Sequence, residues 1–155
     1  MKVNKYRTWD KKENKMYYDA QNTYDYMCNR KGCLEESFGD VLEDDKYIVM
    51  QYINLNDKNK TEMYEGDIAK RIDFLPIADR FGRENIGVIK YVNGSYFLIC
   101  KDCKYLISTD FDENTFCKPS YEIIGNECED LFLMEGIKIE LSMPVKLPPT
   151  INSIY

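Results

Sequence analysis

The dipeptide Asn93-Gly94, set between two apolar runs, constrains the fold more than any other feature of this chain. A type I′ turn needs positive φ at both central positions, and Asn-Gly meets that need best. With a two-residue turn, Tyr91 faces Tyr96, Ile89 faces Leu98 and Gly87 faces Cys100 on one side of a hairpin. Lys90 then faces Phe97, and Val88 faces Ile99, on the other side. Both sides are largely apolar, as in a small sheet that curls and covers itself. Gly87 would permit a sharp bend there.

Other strands follow from alternation and turn chemistry. Tyr6 to Trp9 reads as a short strand, Asp10 to Lys15 as its turn and Met16 to Tyr18 as the return. Lys46 to Tyr52 is a strand followed by the polar turn Asn56-Asp57-Lys58-Asn59. Glu65-Gly66-Asp67 turns the chain into a strand beginning at Ile68, and Cys103 to Ile107 and Tyr121 to Gly125 read as further strands. Ile137, Ile139, Leu141 and Met143 alternate with polar residues, which predicts a half-buried strand. Pro144, Pro148 and Pro149 then stop it, leaving a tail that is extended or without fixed structure. Short strands without a long helical period predict a mainly β fold, a small barrel.

Composition limits what such a fold could do. The net charge of −6 opposes non-specific binding to nucleic acid, which needs a basic surface. The chain holds no histidine, so Ser-His and Cys-His nucleophile pairs and imidazole metal ligands are excluded. Six cysteines at irregular spacing, behind a charged N-terminus, read as free thiols in a reducing compartment. No apolar run approaches the ~18 residues of a membrane span. The expectation is a soluble cytoplasmic protein.

Four segments, taken together and in order, resemble the YopX-like proteins of phages and prophages. They are Tyr6-Arg7-Thr8-Trp9-Asp10 with Met16-Tyr17; Met50-Gln51-Tyr52 through Leu55, Asp57, Lys58 and Asn59 to Tyr64-Glu65-Gly66-Asp67-Ile68; Gly87-Val88-Ile89 with Tyr91, Gly94 and Phe97; and Ile123-Ile124-Gly125-Asn126. The resemblance covers about Lys5 to Leu133. It implies an SH3-type β-barrel preceded by an N-terminal hairpin, in a phage or prophage protein acting in the cytoplasm of a bacterial host. It carries no catalytic residue and no cofactor. The domain layout expected is an N-terminal hairpin and irregular region at 1–45, the barrel at 46–143 with an additional C-terminal strand, and a proline-containing tail at 144–155. Phe74 to Asn85 is expected to be an enlarged loop between two barrel strands, and Cys100 to Cys117 a longer, cysteine-containing segment.

Several groups are candidates for function. Cys100-Lys101-Asp102-Cys103 has zinc-knuckle spacing, and Cys28 with Cys33 could complete a four-thiolate site; buried free thiols are the plainer account. The 13 tyrosines could stack on bases, but their alternation within strands suits half-buried core. Gly66, Asp67 and Ile68 have a structural explanation in turn, backbone hydrogen bond and core. Adjacent acids such as Asp44-Asp45 and Glu129-Asp130 read as solvated surface rather than an acid/base pair, so no enzyme is expected. A protein-binding module remains. Ile137, Ile139, Leu141 and Met143 could recruit a partner by strand addition or could close the chain's own barrel. The expected partner is a host defence or regulatory protein, or a second copy of the chain, with a nucleic-acid-associated regulator as the alternative.

Overall fold

In the computed structural model of the chain, residues 2–22, 36–75, 80–135, 137 and 144–146 are described. The fold is mainly β, and the chain divides into two compact units, Met1–Asn54 and Leu55–Tyr155.

In the first unit, β1 (Tyr6–Asp10) lies between β2 (Lys15–Tyr17) and β3 (Tyr47–Asn56), antiparallel to both. Aromatic and β-branched residues dominate β1 and β3, as expected of a pleated, half-buried surface. The β1–β2 turn is set by Asp10, whose carboxylate accepts the backbone N–H groups of Lys12 and Glu13 at 2.9 and 3.0 Å. A single 3-10 turn follows at Ala20–Asn22. Helix α1 (Phe38–Glu43) starts at Ser37, whose hydroxyl accepts the Asp40 N–H. Its Val41 packs with Tyr17 and Tyr47, and Val49 joins them. The core thus recruits β3 into this unit. The division between the units falls after Asn54, so most of β3 lies in the same unit as β1, with which it pairs from Tyr47 to Gln51.

The second unit opens with the short strand β4 (Glu62–Tyr64) and continues as a curled half-barrel sheet of six strands. Their order is β10 (Val145–Lys146), β8 (Lys104–Leu106), β7 (Ser95–Cys100), β6 (Arg80–Val92), β5 (Asp67–Leu75) and β9 (Ser120–Asn126). The β6–β7 register is the one read from Asn93-Gly94, from Val92 opposite Ser95 through to Gly87 opposite Cys100. Asn93 and Gly94 take φ of 48° and 87°, as a type I′ turn requires. Gly87 has a different reason from the one expected. A Cβ there would stand 2.5 Å from the Ile99 carbonyl oxygen and 2.8 Å from the Cys100 sulfur, so it is close strand approach that excludes a side chain.

Register sorts the sheet into two faces. Ile68, Val88 and Ile99 stand in line across β5, β6 and β7, all fully buried. Val88 and Ile99 are covered by Met134 and Ile137, with Val92 and Phe97 beside them. Ala69, Arg71, Ile89, Leu98, Tyr105 and Tyr121 occupy the other face, and the one-turn helix α2 (Ile107–Asp110) meets it through Asp110.

One expectation is corrected here. Phe74 to Asn85 is for the most part strand rather than loop: β5 runs to Leu75, β6 begins at Arg80, and the two pair as far as Leu75 opposite Arg80. Both continue past their neighbours, since β9 stops pairing at Ile72 and β7 at Gly87. A bulge interrupts the ladder between Ile72 and Phe74, and bulges sharpen strand twist. Part of the tail, expected to be extended or without fixed structure, is extended. Val145 and Lys146 form β10, parallel to β8, because a proline at 144 can precede a strand whose first N–H is still available.

Candidate functional site

The residues that carry the family resemblance are built into the backbone. Asp57 is 7% exposed, and its Oδ1 accepts the N–H groups of Asn59 and Thr61 at 2.8 and 2.9 Å. Its Oδ2 accepts the Ile123 N–H of β9 at 2.9 Å, and the neighbouring Lys58 N–H donates to the Tyr121 carbonyl at 2.9 Å. Tyr121 and Ile123 already pair with Arg71 and Ala69 of β5, so Asp57 and Lys58 occupy the outer edge of the sheet where a further strand would otherwise add.

Asp67 accepts the Tyr64 N–H at 2.7 Å, across a turn in which Gly66 takes φ of 84°. Gly66 donates to the Ile89 carbonyl and accepts from the Glu127 N–H, which ties this turn to β6 and to the end of β9. Asn126 sets the next turn. Its Oδ1 accepts the Cys128 and Glu129 N–H groups, both at 3.0 Å, while Asp130 accepts the Asn126 N–H at 3.0 Å. A Cβ on Gly125 would meet that Asp130 carboxylate at 2.5 Å, which is why glycine precedes Asn126.

A buried charged network that the sequence reading missed crosses the face beneath α2. Arg71 and Asp110 form a two-point ion pair, Nε to Oδ2 at 2.9 Å and Nη2 to Oδ1 at 3.1 Å, with side chains 3% and 1% exposed. Nη1 of Arg71 also contacts Asp73. The Tyr121 hydroxyl donates to Asp110 at 2.5 Å, and the guanidinium lies 3.8 Å from the Tyr105 ring centroid. Burial and then the Asp110 charge hold the Tyr121 phenol well above its ordinary range. Burial works against the charge on Arg71, but Asp110 outweighs it and raises the guanidinium further. Both ends of the pair thus meet partners from the same chain. The network's members come from 71, 73, 105, 110 and 121, and sequence spacing offers no signal joining them.

The two cysteines of the zinc-knuckle spacing face each other across the β7–β8 turn. The Cys100 N–H donates to the Cys103 carbonyl at 2.8 Å, and the residues are 4% and 3% exposed. Burial, and then Cys103, push the Cys100 thiol up to about 12, so it stands as a neutral thiol. Cys28 and Cys33 lie outside the described residues, and among the described residues no group of three or more Cys, Asp or Glu is arranged to hold a metal ion.

Of the strand proposed to bind a partner, Ile139, Leu141 and Met143 lie outside the described residues. Ile137 is described, and it packs beside Val88 and Ile99 with its N–H donated to Met134. The surface just before it is different in kind. In α3 (Leu131–Met134), Met134 turns inward while Leu131 and Phe132 are 68% and 70% exposed, the highest values among the large apolar residues described. The hydrogen bonds of Asn126 and Asp130 hold the segment that presents them. The sequence carries this signal as an unbroken apolar run, Leu131 to Met134, within the acidic stretch Glu127 to Glu135, and not every residue of such a run can face inward.

Among the described residues, no helix is long and apolar enough to cross a membrane. No curated protein matches the chain. A crystal structure of protein EF1440 from Enterococcus faecalis is similar to it, with a TM-score of 0.50 and 23% identity, covering 86% of this chain and 99% of that one. At that identity the likeness bears on the fold. The family described as YopX protein matches residues 5–135, and the chain belongs to that family.

Proposed function

We propose that this chain is a phage or prophage accessory protein built on an SH3-type barrel, acting in the host cytoplasm without catalysis, by binding a host or phage protein. The observation that carries this reading is where the family's polar residues direct their hydrogen bonds. Asp57, Asp67 and Asn126 all turn onto the chain's own backbone, as does Asp130 beside them. Arg71, Asp110 and Tyr121 satisfy one another. A catalytic carboxylate needs access to a substrate proton, and these groups lie in a scaffold instead. The side chains left facing solvent include large apolar ones, which suit recognition of another protein.

The curled half-barrel sheet of β5 to β10 is compatible with the SH3-type description. The net charge of −6 favours a protein partner over nucleic acid. The test is a pulldown with tagged protein from a bacterial lysate, run beside light scattering of the pure protein. A retained host or phage protein, abundant and reproducible, is the expected result. A strict monomer that retains nothing would end the reading.

A further inference from the structure

We propose that Leu131 and Phe132 anchor a docking surface for a basic amphipathic segment of a partner protein, one with an apolar stripe flanked by Lys or Arg. The inference rests on the binding function proposed above and names the surface and the partner's chemistry.

Exposure is the first ground. Two adjacent side chains of this size at 68% and 70% exposure place most of their apolar area in water, although Met134 of the same helical turn is packed inward. Exposed apolar residues scattered singly need no explanation, but a pair on a fixed mount does.

The mount is the second ground. Asn126 accepts two backbone N–H groups of the segment and donates through Nδ2 to Glu129 at 2.8 Å; Asp130 accepts the Asn126 N–H, and the Asp130 N–H returns to the Asn126 carbonyl. Leu133 and Ile137 donate to the carbonyls of Asp130 and Met134. A segment bonded in this way loses little entropy when a partner arrives, which is the advantage of a preorganised anchor.

Charge selects the partner. Between Lys118 and Lys138 the sequence contains five carboxylates, Glu122, Glu127, Glu129, Asp130 and Glu135, and no lysine or arginine. Lys58 and Lys90 offset two of them, pairing with Glu122 at 2.8 Å and Glu127 at 2.6 Å. Glu129 and Glu135 remain exposed on either side of the apolar pair. An apolar centre within a carboxylate rim is complementary to an apolar stripe within a cationic rim, and it repels an anionic membrane surface.

The test uses the full chain and a fluorescein-labelled amphipathic helical peptide of leucine and lysine, read by fluorescence anisotropy. The same peptide with glutamate in place of lysine and vesicles containing phosphatidylglycerol serve as the other arms. The expected result is binding of the lysine peptide alone, weakened at least tenfold in Leu131→Ser/Phe132→Ser and several-fold in Glu129→Lys/Glu135→Lys. Leu131 and Phe132 face solvent, so the serine variant should keep the parent's melting temperature, whereas Glu129→Lys also removes the acceptor of the Asn126 amide and should lower it. Equal binding of both peptides, binding to the vesicles instead, or unchanged affinity in the serine variant would each overturn the inference. A host protein still retained by the serine variant would overturn it while leaving the binding function standing.

Discussion

Removing the Asp57 carboxylate should destabilise the second unit by more than any exposed acid could. Three backbone donors converge on this side chain, at 2.8, 2.9 and 2.9 Å, and the residue is 7% exposed. Hydrogen bonds to a charged acceptor contribute about 1.5–3 kcal/mol each. In Asp57→Ala the Asn59 and Thr61 N–H groups lie in an exposed turn and regain water, so their loss is partly offset. The Ile123 N–H sits in a half-buried strand and does not regain it as readily. A total of about 2–4 kcal/mol follows. Asp57→Asn is the more discriminating variant. Its oxygen can keep Asn59 and Thr61, but its Nδ2 then points a donor at the Ile123 donor, and the opposite rotamer sets the amine against two donors. A cost of about 1.5–3 kcal/mol is expected. The only tryptophan, Trp9, is in the first unit, so its fluorescence does not report directly on the second. Urea unfolding followed by far-UV circular dichroism, with hydrogen exchange at Ile123, reads the second unit. A loss below about 0.5 kcal/mol in both variants, the range of ordinary surface substitutions, would refute the reasoning.

Other perturbations probe the remaining features. Asp110→Ala leaves the Arg71 guanidinium buried without its main partner and should cost about 3–5 kcal/mol, read by urea unfolding; the double variant Arg71→Met/Asp110→Leu should recover most of it. An equal loss in both would show that the site depends on charge rather than on shape. Burial raises the Glu65 carboxyl above its ordinary 4.5, against the opposing pull of Lys90. Its protonated form is therefore favoured by folding, a contribution complete below pH 4.5 and lost as pH rises through the folded value. Glu65→Gln should melt higher than the parent at pH 7 and together with it near pH 4; a lower melting point at pH 7 would reverse the sign. Finally, iodoacetamide followed by peptide mapping should modify the half-exposed Cys117 and Cys128 well before the buried Cys100 and Cys103. Equal rates would show that the β7–β8 turn opens readily.

The sequence carried the hairpin to the residue because φ at Asn93-Gly94 leaves one turn geometry, and that geometry leaves one register. It placed β1, β3, β5 and β9 within a few residues for the same local reason. The arm past Ile72 was not legible: Phe74 to Asn85 read as an enlarged loop, because the pairing that extends β5 and β6 is long-range and leaves no local pattern. Nor was the allegiance of β3. Its alternation says that one face is buried but not against which unit, and Val41 and Tyr17 decide that from distant positions. Arg71 and Asp110 were equally hidden, because a lone arginine in a strand and a lone aspartate in a polar run gain meaning only when register and α2 bring them to 2.9 Å.

Sheet edges tie the scaffold to the choice of binding surface. Strand addition needs an open row of backbone donors and acceptors. On β9, the outward Tyr121 carbonyl and Ile123 N–H already meet Lys58 and Asp57. Along β6 beyond Gly87, the bulge opposite Asp73 interrupts the regular spacing that a new strand would have to match. At the other end of the sheet, β10 pairs with β8 through Val145 and Lys146 among the described residues. The β9 edge and the β6 arm thus carry devices against strand addition, which favours the side-chain surface proposed above over those edges. Recognition by a fixed side-chain pair predicts sensitivity to substitution at Leu131 and Phe132. It also predicts indifference to proline at Glu84, which alternates in phase with Val88 and Val92 along β6 and so turns its backbone N–H to the β7 side, beyond the end of the β6–β7 pairing at Gly87.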